Sequence, residues 1–245
     1  MRSVRVAVTD LSPGERRLDA DAAHYLAHVH RLREGEAFLA FDPEARLEAE
    51  GVILEVARDA VSVRLSAPTA ARAVPTFDVT LVQCAGKGEK TDDVVRATVA
   101  LGVGTVIVAE SARSVARLDA ERAEKRRERW RAVALDAARQ SGRGDAPSIE
   151  GPRPLDDVLA VLGAGTAVKL CLDPHATMSF SEAVRREAPA KSFVLVVGPE
   201  GGLSDEELVL AERMGFVRAR LGPFVLRTEL AATAALAALL VLASD

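Results

Sequence analysis

Residues 192–215 read SFVLVVGPEGGLSDEELVLAERMG, and this stretch decides the fold. Phe193–Val197 is an unbroken apolar run with no alternation, the pattern of a strand buried on both faces, as in a parallel sheet covered by helices. Gly198-Pro199 stops the strand. Ser204 to Glu207 then spells Ser-x-x-Glu, a capping box that opens a helix. The Gly201-Gly202 turn therefore points into a helix N-terminus, which carries free N–H groups and partial positive charge. One such turn fits a ligand edge and a plain strand-to-helix connection equally well.

The same rhythm extends in both directions. Val79–Cys84, Thr105–Ala109, Val168–Leu172 and Val217–Leu221 are further strand runs. Asp92–Leu101, Asp119–Gln140, Leu155–Leu162 and the segment from Thr228 have helical character. Strands alternating with helices predict an α/β domain with a parallel sheet. Upstream the pattern is different: short strands at Ser3–Val8, Ala37–Phe41, Leu47–Val56 and Ala60–Leu65 surround one helix, Asp19–His30. The breaks fall at Gly35, Asp42-Pro43 and Arg58-Asp59, a spacing that suggests a small barrel. Ser66–Pro75 has two prolines and no period, which makes it the best boundary. The expected domains are 1–70 and 71–245.

The 245 residues, 49% apolar and 28% charged with a net charge of −4, exclude a low-hydropathy disordered chain. The longest near-continuous apolar stretch, Leu230–Ala243, holds 14 residues, whereas crossing a bilayer takes about 20. MRSVRVAVTD lacks the apolar core of a secretory signal. Cys84 and Cys171 lie far apart in apolar runs and suit neither a disulfide framework nor a thiolate metal site. A cytosolic protein without membrane or metal partners is the expectation. His24 and His28 stand four apart on a helix but have no carboxylate pair or cysteine near them in sequence.

Residues 111–145 carry 10 Lys and Arg against 6 Asp and Glu, the only net-positive segment. A basic strip on an acidic protein can find phosphate selectively; a solvated helix face laced with pairs such as Glu121–Lys125 explains the same charges.

In open parallel sheets ligands sit beyond the carboxyl ends of strands. Three exits stand out: Asp173–Thr177, Gly198–Leu203 and Gly222–Thr228. Two of them begin Gly-Pro, and three such loops within 60 residues point to a shaped pocket. No Gly-x-Gly-x-x-Gly, Walker A, Gly-x-Ser-x-Gly or His-Glu-x-x-His motif occurs.

The strings VGPEGGLSDEEL (197–208) and LGPFVLRTELAA (221–232) resemble the signature loops of the RsmE family, 16S ribosomal RNA (uracil-N3)-methyltransferases of the SPOUT class. Gly86–Lys90, Leu101–Val103 and Gln140–Arg143 extend the likeness, as do His24, Val29, Arg31, Gly35 and Asp42. Arg139 stands where the family often carries Glu, and His30 where an apolar residue is expected. The resemblance implies a PUA-like RNA-binding β-barrel followed by an α/β trefoil-knot domain. It also implies S-adenosylmethionine as cofactor, homodimerisation through the knot domain, and 16S rRNA of the small subunit as partner. Carried onto this chain, Leu172, Gly198, Glu200, Gly201, Leu221, Leu226 and Ala231 bind the cofactor.

For chemistry the candidates are Arg227, to stabilise a developing uracil anion or grip a phosphate, and Glu200, to hold the cofactor amine or assist proton removal. A salt bridge to Glu229 or Glu200 is the competing role for Arg227. Arg31, Arg33, Arg126, Arg127, Arg129 and Arg143 are the expected RNA contacts. A knotted methyltransferase acting on another RNA and a non-catalytic RNA-binding protein stay open. The Ala/Leu segment 229–243 must be buried, either in the chain's own core or against a twin.

Overall fold

A computed structural model of the chain describes residues 4–57, 60–86, 90–114, 120–187 and 189–243. Ser3, Arg58-Asp59, Lys87-Gly88-Glu89 and Asp119, all used in the reading above, lie outside these, as does Arg117, one of the ten cations counted over 111–145. The chain forms two units, Met1–Val74 with Ala138–Ala146, and Pro75–Ala137 with Pro147–Asp245.

The first unit is built on a six-stranded mixed sheet of β1 (Arg5–Ala7), β2 (Gly14–Arg17), β3 (Ala37–Asp42), β4 (Leu47–Ala57), β5 (Ala60–Leu65) and β6 (Thr69–Ala70). Its order is β1-β3-β4-β5-β2, with β6 paired to β4. Only β1 and β3 run parallel. Helix α1 (Ala20–His24) starts where the Asp19 carboxylate accepts the Ala22 amide at 2.8 Å, and it continues as a π-helical turn over Tyr25–Val29. Leu26 from this turn packs with Val6, Phe38, Ile53 and Val63 in the unit's core. Exposed, polar β2 (GERR) carries no alternation and was invisible to periodicity.

Ala138–Ala146 is tied to this unit by polar contacts. The Gly144 amide donates to the Ala73 carbonyl at 2.8 Å, and Arg5 Nη2 to the Arg143 carbonyl at 3.0 Å.

The second unit is an all-parallel sheet ordered β12-β10-β11-β7-β8-β9. The strands are β7 (Asp78–Cys84), β8 (Thr105–Glu110), β9 (Ser148–Pro154), β10 (Val168–Leu172), β11 (Ser192–Val197) and β12 (Val217–Ala219). The helices are α2 (Lys90–Ala100), α3 (Ala120–Ser141, its end grouped with the first unit), α4 (Leu155–Gly163), α5 (Phe180–Arg186), α6 (Asp205–Arg213) and α7 (Thr228–Leu242). Near-continuous burial along β7, β8 and β11 is the double coverage the apolar runs predicted. Trp130 of α3 donates to buried Asp92 of α2 at 3.0 Å.

In this unit two elements escaped the sequence reasoning, as β2 and β6 did in the first. Strand β9 contains two prolines, which a sheet tolerates at its edge, and β9 is the last strand in the order. It bends at Gly151 (φ +89°), where a Cβ would overlap the Val108 carbonyl. Helix α5 is 7 residues long, too short for a helical period to register.

Helix α7 packs on α2, α5 and β11. One side, with Ala232, Ala235, Leu236 and Leu239, is buried, while Leu230 and Val241 on the other are exposed. Among the described residues no helix is long and apolar enough to cross a membrane.

Candidate functional site

The three strand exits line one cavity of about 660 Å³ in the second unit. Leu172, Gly198, Glu200, Gly201, Leu221, Leu226, Arg227 and Ala231 all reach it. So do residues the sequence did not single out as ligands: Arg113, Asp173, Asp205, Arg218, Phe224 and Thr228.

The exit of β10 is held by Arg218 of β12, its parallel neighbour, and by Arg220 just past the end of β12. Asp173 is buried; its Oδ2 accepts Nη2 and Nε of Arg218 at 2.6 and 2.9 Å, and its Oδ1 accepts the His175 amide at 2.9 Å. The bonds from Asp173, with Glu212 beyond, push the Arg218 pKa up, so this guanidinium stays charged. Arg220 Nη1 donates to the carbonyls of Ala176 and Thr177.

The exit of β11 is tied down more heavily. Gly202 adopts φ +69°, a left-handed conformation that suits glycine, and its amide donates to the Pro199 carbonyl at 2.9 Å. Arg113, just after β8, donates through Nη1 to the carbonyls of Gly201 (2.8 Å) and Leu203 (3.1 Å). From the start of α7, buried Thr228 donates to the Gly198 carbonyl at 2.7 Å and accepts Gln83 Nε2 at 2.8 Å. The capping box of α6 is complete: Glu207 accepts the Ser204 amide at 2.8 Å and, with its other oxygen, the Ala112 amide at 2.7 Å. Hydrogen bonds from its own amide and from Ser204 hold the Glu206 carboxyl below the usual range. The N-terminus of α6 is thus capped by the protein's own side chains, which leaves the turn backbone, not the helix end, to meet a ligand.

The exit of β12 differs. From Gly222 to Leu226 no amide donates a hydrogen bond to a described residue. Phe224 and Val225 are 77% and 76% exposed. Arg227 is exposed and makes no ion pair with a described residue. The carboxylate of Glu200 is taken by Lys90 Nζ at 2.8 Å instead. That hydrogen bond raises the Lys90 pKa above its ordinary value, so Lys90 is a fixed cation.

The cavity fits a bulky ligand with apolar and polar parts. Leucines and Ala231 form its walls, and turn backbone offers amides and carbonyls. Asp173, Glu200 and Asp205 line it together with Arg113, Arg218 and Arg227, with Asp173 paired to Arg218 and Glu200 to Lys90. At Gly198 a Cβ would come within 3.1 Å of the Leu203 amide nitrogen, so a side chain there would crowd the turn.

The expected RNA contacts fare unequally. Arg31 and Arg33 are exposed in the first unit, and Arg126 is exposed on α3 without an ion pair to a described residue. Arg127 pairs with Glu124 and Arg129 with Asp92 (2.6 Å), so their charges are shared. Arg143 must be corrected: it is 5% exposed, and its Nε and Nη2 grip Asp145 at 2.9 and 2.8 Å. A guanidinium so enclosed holds its own loop and offers nothing to a phosphate. Arg139 lies over the Tyr25 ring at 4.5 Å within the first unit. His24 and His28 rings are 5.1 Å apart, and no group of three or more metal-ligating side chains occurs among the described residues.

Residues 73–240 match the RNA methyltransferase domain family. The ribosomal RNA small subunit methyltransferase E of Mycobacterium bovis is 36% identical over 231 residues, covering 93% of this chain and 86% of that protein. Its Bacillus subtilis counterpart is 28% identical, covering 91% and 88%. Among solved structures, a Legionella pneumophila methyltransferase in complex with S-adenosylmethionine superposes with a TM-score of 0.89 at 28% identity, over 98% of both chains. The ribosomal RNA small subunit methyltransferase E of Neisseria gonorrhoeae, also bound to S-adenosylmethionine, gives 0.90 at 25%, with 98% of each chain covered.

Proposed function

Since the chain belongs to the ribosomal RNA small subunit methyltransferase E family, we propose that it transfers a methyl group from S-adenosylmethionine to N3 of a uridine in 16S rRNA of the small ribosomal subunit. The observation that carries this is the meeting of all three strand exits around one cavity whose walls suit that cofactor. Bound there, S-adenosylmethionine supplies a methyl group on a sulfonium for in-line displacement. Backbone at Gly198 and Gly201 holds the adenine edge, and Leu172, Leu221, Leu226 and Ala231 cover its faces.

Uracil N3 must lose its proton, and presenting the anion at neutral pH costs about 3–4 kcal/mol. Arg227, charged and free of carboxylate partners among the described residues, stabilises that anion. Pairing with a cation weakens a carboxylate as a base. Glu200, bound to Lys90, therefore faces the cofactor's positive charge rather than removing the proton.

Arg31, Arg33 and Arg126 contact phosphate, with Arg127 and Arg129 in support. The first unit acts as a PUA-like RNA-binding barrel (1–70), and residues 71–245 as a SPOUT trefoil-knot domain. A homodimer forms over the apolar side of α7 at Leu230 and Val241, which no described residue covers.

Labelled methyl transfer to undermethylated small subunits, followed by nucleoside analysis, tests the reading. It expects 3-methyluridine in 16S rRNA; label on a ribose, on another base or on another RNA rejects it.

A further inference from the structure

The chain has nine aromatic residues of the Phe, Tyr and Trp kinds. Phe38, Phe41, Trp130, Phe180, Phe193 and Phe216 are buried, and Tyr25 and Phe77 are partly covered. Phe224 alone is exposed, and it stands on the cavity lining, three residues before Arg227. A ring left in water gains nothing for the fold, and its neighbour Val225 is equally bare.

The place of this pair narrows what covers it. All three exits give walls to the cofactor, Leu221 and Leu226 from the β12 exit included; Phe224 and Val225, between those two leucines, are the part of the lining with no cofactor contact assigned, and a methyl acceptor has to reach the same cavity. Base edges attacked at a Watson–Crick position must first leave the stack, and the vacated stacking is replaced by a planar side chain. We infer that Phe224 is the stacking platform for the acceptor base, with Val225 beside it and Arg227 at the base's edge, so that this loop sets how a pyrimidine is presented. The inference rests on the reading of the cavity as a methyl-transfer site for RNA.

The experiment compares Phe224→Tyr, Phe224→Trp and Phe224→Leu in the full chain. It measures kcat/KM for undermethylated small subunits, the Kd for S-adenosylmethionine, and the oligomeric state by light scattering. Stacking needs a planar face. The Tyr and Trp variants are expected to stay within about threefold of the native rate constant, and the Leu variant to fall about tenfold or more. Cofactor affinity and oligomeric state stay unchanged, and thermal melting stays native because an exposed ring holds no core. A Leu variant as active as the native chain overturns the proposal. So does a Leu variant that loses cofactor affinity in step with rate, which assigns the ring to the cofactor. A change of oligomeric state in the Leu variant overturns it too, since the ring then belongs to a second copy. Should the methylated atom prove to be other than uracil N3, the planar-against-branched contrast still decides the platform, because every base has a π face.

Discussion

Two exits of one sheet, six residues or so each, are built to opposite plans. The loop after β11 is fastened at four of its six carbonyls: Arg113 takes Gly201 and Leu203, Thr228 takes Gly198, the Gly202 amide takes Pro199, and Glu207 ties the following helix to Ala112. Among the described residues the loop after β12 has no such fastening from Gly222 to Leu226, and it presents Phe224, Val225 and Arg227 to solvent. A cofactor used by every turnover rewards a pre-formed cradle, since ordering it on binding would cost affinity. An acceptor that arrives on a large RNA supplies its own contacts, so its side of the cavity is left for the substrate to complete. If that division holds, changes at Phe224, Val225 and Arg227 alter turnover and leave cofactor binding alone, whereas changes on the fastened loop do the reverse.

The largest break is expected at Arg227. Removing a charge aimed at a developing anion costs about 100-fold or more, so Arg227→Ala should lower single-turnover methyl transfer by that factor. Its Kd for S-adenosylmethionine, measured by calorimetry, should stay within about twofold. Next comes Thr228→Val, at the junction between the two loops. It leaves the half-buried Gly198 carbonyl without its donor and takes from buried Gln83 Nε2 one of its two acceptors, the Cys84 carbonyl remaining, while Gln83 Oε1 already lacks a partner. Unsatisfied buried groups cost about 1–3 kcal/mol, to be read as a lower urea midpoint at constant slope, with weaker cofactor binding alongside.

What the sequence reveals of this site follows from the range of the interactions. The β11 exit was legible because all its signals are local: an apolar run, Gly-Pro, and a capping box within four residues. The clamps were not. Arg113 lies 88 residues from Gly201, and Arg218 lies 45 from Asp173, so only the strand order brings them together. Arg218 and Arg220 did leave a trace, two cations on one face of a short strand just before a Gly-Pro exit, where a solvated strand gives the same pattern. Arg143 shows the reverse failure. Counted within a basic strip it looks like a phosphate contact, yet Asp145, two residues on, encloses it. Charge counting carries no information about burial.

Arg113→Ala sharpens the comparison from the fastened side. It releases two carbonyl contacts made by a partly exposed guanidinium, and the expected loss is about 1–2 kcal/mol. Cofactor Kd should rise about tenfold, while turnover at saturating S-adenosylmethionine stays near native. Equal losses in kcat and Kd would mean that both loops serve both substrates.

The smallest effect probes the core beneath the fastened loop. Cys84 and Cys171 pack in one cluster with Leu203. Burial, with Asp173 nearby, pushes the Cys171 thiol from 9.0 up to about 12; burial pushes Cys84 up as well. A raised folded-state pKa means that the unfolded chain gives up its thiol protons first. The folded state then holds more protons above pH 9, and stability falls as pH rises through that range. Between pH 7.5 and 9.5 the urea midpoint in reductant should drop by the equivalent of less than about 1 kcal/mol per thiol, and Cys171→Ala should remove its share of that slope. An unchanged slope in this variant would show that water already reaches the thiol, and that the fastened wall opens as freely as the loop bearing Phe224.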